Sequence, residues 1–164
     1  MRTSGILMHI SSLSSPYGIG TLGKEAYDFV DFLKLSGQSI WQMLSIGPTS
    51  YGDSPYQSFS SFAGNPYFID LRELTKSGYL EVGDYIELDW GKNSESVDYG
   101  KLYENRFLVL YKAYLKFLKK IPKQFEEFCE ENAFWLDDFA LFMAVKDKNG
   151  GKAWFDWEED LKFR

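Results

Sequence analysis

The stretch Gly47-Pro48-Thr49-Ser50-Tyr51-Gly52-Asp53-Ser54-Pro55-Tyr56-Gln57-Ser58-Phe59-Ser60 sets aromatic rings among small polar groups. Its glycines, prolines, serines and aspartate are turn chemistry, and a solvated turn has no need of two tyrosines. A sugar site does need rings: a flat apolar face stacks on a pyranose while nearby polar groups bond its hydroxyls. Tyr51, Tyr56, Asp53, Ser54 and Gln57 are therefore candidate sugar contacts. The same composition also fits a turn whose tyrosines pack back on the core.

Few other groups could carry chemistry. His9 is the only histidine and Cys129 the only cysteine. His9 has no identifiable serine, cysteine or carboxylate partner, so it reads as a hydrogen-bonded structural imidazole rather than a catalytic one. Cys129 falls on an apolar helical stripe, which suggests a buried, inert thiol. One His and one Cys without paired spacing give no metal site. Gly18, Gly20 and Gly23 spell G-x-G-x-x-G, yet Pro16 and Tyr17 precede them and no acidic residue closes the second strand. A dinucleotide loop is discounted on those grounds.

The elements that would position the loop follow from periodicity. Gly5 to Ile10 and Ile40 to Ile46 are apolar runs without a helical stripe, expected to be buried strands. Between them, Lys24 to Leu35 places Ala26, Phe29, Val30 and Leu33 at helical spacing, with Ser36-Gly37 as the stop. Strand, turn, helix and strand make a βαβ unit and imply a parallel sheet. Tyr67 to Leu71 is another short apolar run, and Asp70 stands where it would cap a short helix ending at Gly78. Residues 81 to 100 read as polar loop. Tyr103, Phe107, Leu110, Tyr111, Tyr114, Phe117 and Leu118 then recur at three and four, marking a long helix that ends at Pro122, with Tyr103 on its core-facing stripe. Two further helices are expected around Phe125 to Cys129 and Leu136 to Met143, the last broken over Lys146 to Gly151. The expected division is 1–70 for the βαβ unit with its loop and 71–164 for a loop and helical subdomain.

Apolar residues make up 45% of the 164, enough for a packed core. A net charge of −6 offers no basic patch to neutralise phosphates, which argues against nucleic acid. A single cysteine fits a reducing compartment. No signal-type leader or bilayer-length apolar run is visible, so the expectation is a cytoplasmic protein without a membrane partner.

Several motifs together resemble the 4-alpha-glucanotransferases, also called amylomaltases or disproportionating enzymes. They are Gly5-Ile6-Leu7-Met8-His9-Ile10-Ser11-Ser12-Leu13, Pro16-Tyr17-Gly18-Ile19-Gly20, Trp41-Gln42, the loop from Tyr51 to Ser60, and Phe62-Ala63-Gly64-Asn65-Pro66. Val97-Asp98-Tyr99-Gly100 and Trp135-Leu136-Asp137-Asp138-Phe139-Ala140-Leu141-Phe142 continue the likeness. Ser14 and Ser45 depart from it, standing where the family usually has proline. The resemblance implies an α/β fold, the opening of a (β/α)8 barrel interrupted by a helical insertion. It implies retaining transfer of alpha-1,4-glucan segments between maltooligosaccharides, without a cofactor. Tyr56 would stack on the glucose next to the scissile bond with Ser54 as a nearby polar contact, and Asp53 would be a supporting residue. Tyr51 and Tyr103 would match the two aromatics of a secondary glucan site.

Retaining chemistry needs two carboxyl groups about 5–5.5 Å apart, one attacking the anomeric carbon and one protonating the leaving oxygen. Asp53 and Asp70 are the only acids after apolar runs in the first half, and neither is the family's nucleophile. By resemblance, the nucleophilic Asp and the acid/base Glu lie on later strands, beyond Arg164. The expectation is an N-terminal portion of the enzyme, whose partner is its own missing C-terminal part. The alternative is a stand-alone, non-catalytic glucan-binding module.

Overall fold

The computed structural model describes residues 2–50, 52–93 and 95–162, and they form two compact units, Met1–Ile121 and Pro122–Arg164. In the first unit, strands β1 (Gly5–Leu7) and β2 (Ile40–Gln42) pair in parallel, with Ile6 opposite Trp41. Helix α1 (Lys24–Leu35) is the crossover between them. It lies where the apolar spacing put it, and it stops where Gly37 takes φ 72°. Phe29 of α1 meets the Trp41 ring edge-on at 4.9 Å, and Trp41 Nε1 donates to Met8 O at 2.7 Å.

The strands are shorter than the apolar runs and are not buried. Leu7 is 56% exposed and Ile40 50%. Ile10 leaves the strand for a 3-10 turn over Ile10–Ser12 and enters the core there instead. The physical reason is the sheet itself, which has two strands among the described residues: α1 covers the Trp41 side through Phe29, while the alternate side, with Leu7 and Ile40, is left exposed.

The core sits beside the sheet rather than on it. Ile10, Ile19, Phe68, Leu71, Leu80, Tyr85, Trp90, Leu102 and Val109 form one buried cluster. Tyr85 and Trp90 come from the stretch expected to be plain loop. A 3-10 turn over Val82–Asp84, with Asp84 accepting from the Glu81 amide at 2.9 Å, turns the chain so that both rings point inward. Tyr17 lies edge-on to both.

Helix α2 (Leu71–Lys76) is capped by Asp70, as expected, and α3 spans Tyr99–Phe117, capped by Asp98 and ending short of the expected Pro122. The buried face of α3 is Leu102, Arg106, Val109 and Ala113. The expected aromatic stripe is largely on the outside: Tyr103, Phe107, Tyr111, Tyr114 and Leu118 are all exposed. Leu102, Val109 and Ala113 join the buried cluster, and at about 100° per residue the rings fall on another side of the helix, away from it.

The second unit contains α4 (Lys123–Asn132), α5 (Leu136–Lys148) and the short α6 (Glu159–Lys162). Gly150 and Gly151 adopt φ 64° and 76°, and Lys146 Nζ donates to Gly151 O at 2.6 Å, which ends α5 within the expected break. Trp157 is buried, 5.5 Å from the Phe142 ring. Cys129 is only half-buried, so it does not belong to a core. No helix among the described residues is long and apolar enough to cross a membrane, and none of their His, Cys, Asp or Glu side chains group as metal ligands.

Candidate functional site

The tyrosine loop leaves β2 and returns at Asn65, whose amide donates to Ile46 O at 2.8 Å. Its two arms touch through an isolated antiparallel bridge between Thr49 and Ser58. At the tip, Asp53 N donates to Ser50 O at 3.0 Å, with Gly52 at φ 90° and Asp53 itself at φ 55°. Aspartate is among the few side chains that tolerate the left-handed region, which explains an acid at that corner. Serines brace the rest: Ser54 Oγ accepts from Tyr56 N at 3.3 Å, and Ser60 Oγ accepts from the amides of Phe62 and Ala63. A short polar side chain bonding the backbone two residues on is a local turn device, legible from sequence.

This frame leaves the Tyr56 ring 73% exposed, with Ser54 half-buried and Gln57 exposed beside it. Asp53 is half-buried, and burial pushes its carboxyl above the usual aspartate range. Tyr51 lies outside the described residues.

Asp53 does not stand alone. Together with Asn93, Ser96, Val97, Asp98, Tyr99 and Lys101 it lines an open depression of about 650 Å³. That volume is within the roughly 300–1,000 Å³ of small-molecule sites, and the lining is rich in hydroxyl, amide and charged groups. Asp98, at the N-terminus of α3, accepts from Lys101 N at 3.1 Å. Next to this depression, Tyr67 is buried with its ring 6.3 Å from Tyr99 and 5.5 Å from Phe107. Burial, then the negative field of Asp53 and the neighbouring Tyr103 and Tyr99, push the Tyr67 phenol up to about 12. The fold thus gathers Asp53, Tyr67, Tyr99 and Tyr103 from three separated segments. Tyr103 is 66% exposed and meets Phe107 edge-on at 5.8 Å, which removes the core reading for it.

Between α1 and α2 lies a charged cluster that the sequence showed only in part. Asp70 Oδ1 accepts from the amides of Arg72 and Glu73 at 2.8 and 3.1 Å; Oδ2 accepts from Thr21 Oγ1 at 2.6 Å and Arg72 Nη2 at 3.0 Å. Burial opposes its charge, yet these bonds, first from Arg72 and then Thr21, hold its carboxyl below the usual range. Arg72 in turn makes a two-pronged pair with Glu25 of α1. A Cβ added at Gly23 would collide with the Asp70 carboxylate. The glycine that spelled a phosphate loop therefore admits a carboxylate of the protein itself.

Sequence reasoning missed Arg106. It is fully buried on α3, donates from Nη2 to Tyr67 O at 2.6 Å and Ile69 O at 2.9 Å, and lies 5.8 Å over the Trp90 ring. Burial pushes it down to about 10, so it stays charged at neutral pH. The one sequence signal was a cation four residues after Leu102 and three before Val109, a weak cue on a helix with lysines of its own. His9 also differs from expectation: it is buried and edge-on to Phe68 at 5.4 Å, but its Nδ1 has no hydrogen-bond partner among the described residues.

The architecture so far is a mixed α/β partial domain of two parallel strands with helices, bearing a braced aromatic loop beside a polar depression. Residues 8–164 match the family model described as 4-alpha-glucanotransferase, and the chain belongs to that family. A 4-alpha-glucanotransferase of Clostridium butyricum is 52% identical over 157 residues, covering 96% of this chain and 32% of the relative. That of Thermus thermophilus is 48% identical over 167 residues, covering 99% and 32%. The solved amylomaltase from Streptococcus agalactiae in complex with acarbose superposes with a TM-score of 0.93 at 47% identity, over 97% of this chain and 32% of that one. The chain thus spans about a third of the length of the relatives it matches.

Proposed function

We propose that residues 1–164 are the substrate-positioning part of a cytoplasmic enzyme that transfers alpha-1,4-glucan segments between maltooligosaccharides by retaining transglycosylation. The two strands and α1 are then the opening βαβ unit of a (β/α)8 barrel, and the later helices an insertion in it. The nucleophilic Asp and the acid/base Glu come from chain outside these residues. The observation that carries the reading is the Tyr56 ring, 73% exposed on a loop whose backbone is fixed by its own serines. Such a ring contributes little to the fold and presents a rigid stacking face to a pyranose. Ser54, Gln57 and Asp53 are the polar groups within the same turn. The acarbose held by the S. agalactiae relative supports a glucan-like ligand here.

Holding the reacting sugar in orientation is where a lost contact costs rate. In the complete protein, Tyr56→Ala is expected to lower kcat/KM on maltooligosaccharides by about 1–3 kcal/mol of transition-state stabilisation, the worth of one aromatic face. Tyr56→Phe should keep most of the activity, since the ring remains. Steady-state kinetics with maltotriose test both, and an alanine variant with wild-type constants would remove Tyr56 from the site.

Tyr51 and Tyr103 are assigned to a second glucan site away from the reacting bond. Tyr103→Ala and Tyr51→Ala should leave maltotriose turnover unchanged while shifting product size on long glucans. Chromatography of the products from amylose reads this out. A uniform loss on short and long substrates alike would move these residues into the cleft itself.

A further inference from the structure

Arg106 is costly where it stands. It is fully buried, no carboxylate among the described residues bonds it, and its Nε and Nη1 have no hydrogen-bond partner there. A buried cation that is only partly satisfied is poor stabilisation, and an apolar side chain of similar volume would serve the core as well or better. What an apolar side chain could not do is hold two main-chain carbonyls. Nη2 alone bonds those of Tyr67 and Ile69, immediately after the point where the tyrosine loop rejoins the fold. Ile46 O and Asn65 N close the loop from the β2 side, and Asn65 Oδ1 bonds Tyr67 N at 3.0 Å. Tyr67, held by its carbonyl, packs its ring against Tyr99 and Phe107 on the helix that carries Tyr103.

We propose that Arg106 is a positioning residue whose guanidinium ties the foot of the tyrosine loop to α3, so that the loop bearing Tyr56 and the helix bearing Tyr103 keep one fixed spacing. The glucan roles of those two tyrosines rest on the function proposed above; the mechanical tie does not. Arg106 touches no substrate. It acts through the backbone at residues 67 and 69, and its removal loosens the loop without opening the βαβ unit.

The test is amide hydrogen exchange on the complete protein containing these residues, comparing wild type with Arg106→Met and Arg106→Lys. In the methionine variant, amides of residues 52–65 should exchange about tenfold faster, while those of α1 stay within about twofold. Arg106→Lys, which keeps a cation able to reach one carbonyl, should fall between. Equal acceleration in α1 and the loop would mean an ordinary core role and overturn the proposal, as would an unchanged loop. Maltotriose kinetics on the same variants separate the two claims. Arg106→Met should lower kcat with the melting temperature held. A wild-type protein without transfer activity would defeat the proposed function, while the exchange pattern would still decide the tie.

Discussion

Residues 1–164 expressed alone are expected to show no transfer between maltooligosaccharides and to self-associate. The family's chemistry needs a nucleophilic carboxylate and a carboxylic acid about 5–5.5 Å apart at the reacting bond. Of the two acids that follow apolar runs, Asp70 is already committed to the fold, and by the family resemblance Asp53 is a supporting residue. Asp70 is buried under five hydrogen-bond donors, and Asp53 stands at a loop corner beside Tyr67 and Tyr99. Association follows from the sheet. Both outer edges of the two-stranded sheet lack a strand partner among the described residues, and Leu7, Ile40, Met43 and Ile46, in or just after the strands, are each exposed. Open strand edges and contiguous apolar surface favour pairing with other copies. A glucose-release assay with maltotriose, beside sedimentation velocity of the purified fragment, measures both. Transfer by a soluble monomer would send the search for catalytic carboxylates back into these residues, beginning with Asp53. A soluble monomer that binds glucans without transferring them would instead favour the stand-alone binding module.

Removing the Asp70 carboxylate is expected to be the most damaging single substitution for stability. Asp70→Ala strips the N-cap from α2, leaves the Thr21 hydroxyl unbonded and halves the anionic support of Arg72. Breaking a buried pair by deleting one partner costs about 3–5 kcal/mol. Asp70→Asn keeps the shape and some bonds and should cost less, about 1–3 kcal/mol. The pH dependence has a definite sign. The folded carboxyls of Asp70 and Glu25 are both held below their ordinary values of 3.8 and 4.5. Their stabilisation is therefore complete above those values and is lost as pH falls through the lower folded ones. Urea unfolding of the complete protein, with α2 amide exchange as the local readout, should show the Asn variant converging on wild type in acid. An Asp70→Ala midpoint equal to wild type at neutral pH would show that the cluster contributes nothing net.

Much of the site was legible because its devices are local. Serines brace the tyrosine loop through bonds spanning two or three residues, and Asp70 caps α2 in the same way. Helix α1 was legible because its apolar spacing agrees with a glycine stop at its end. The motif loop was long enough to point to a family, and the family match over residues 8–164 agrees.

Other features depended on contacts that no local window contains. An aromatic stripe on α3 reads as a core face, yet the structure buries the side with Leu102, Arg106, Val109 and Ala113. Hydropathy ranks a buried arginine as surface, because the carbonyls that receive it lie 37 and 39 residues away. Tyr85 and Trp90 stand in a polar stretch and become core only where Tyr17, more than sixty residues earlier, supplies the facing ring. Asp53 met Tyr67 and Tyr99 only once the chain had folded back on itself. Sequence by itself determined the turns, caps and helix periods, since those interactions are made within a few residues. Tertiary structure alone decided which faces are covered and which distant groups meet, because burial and electrostatic coupling depend on what lies across the gap.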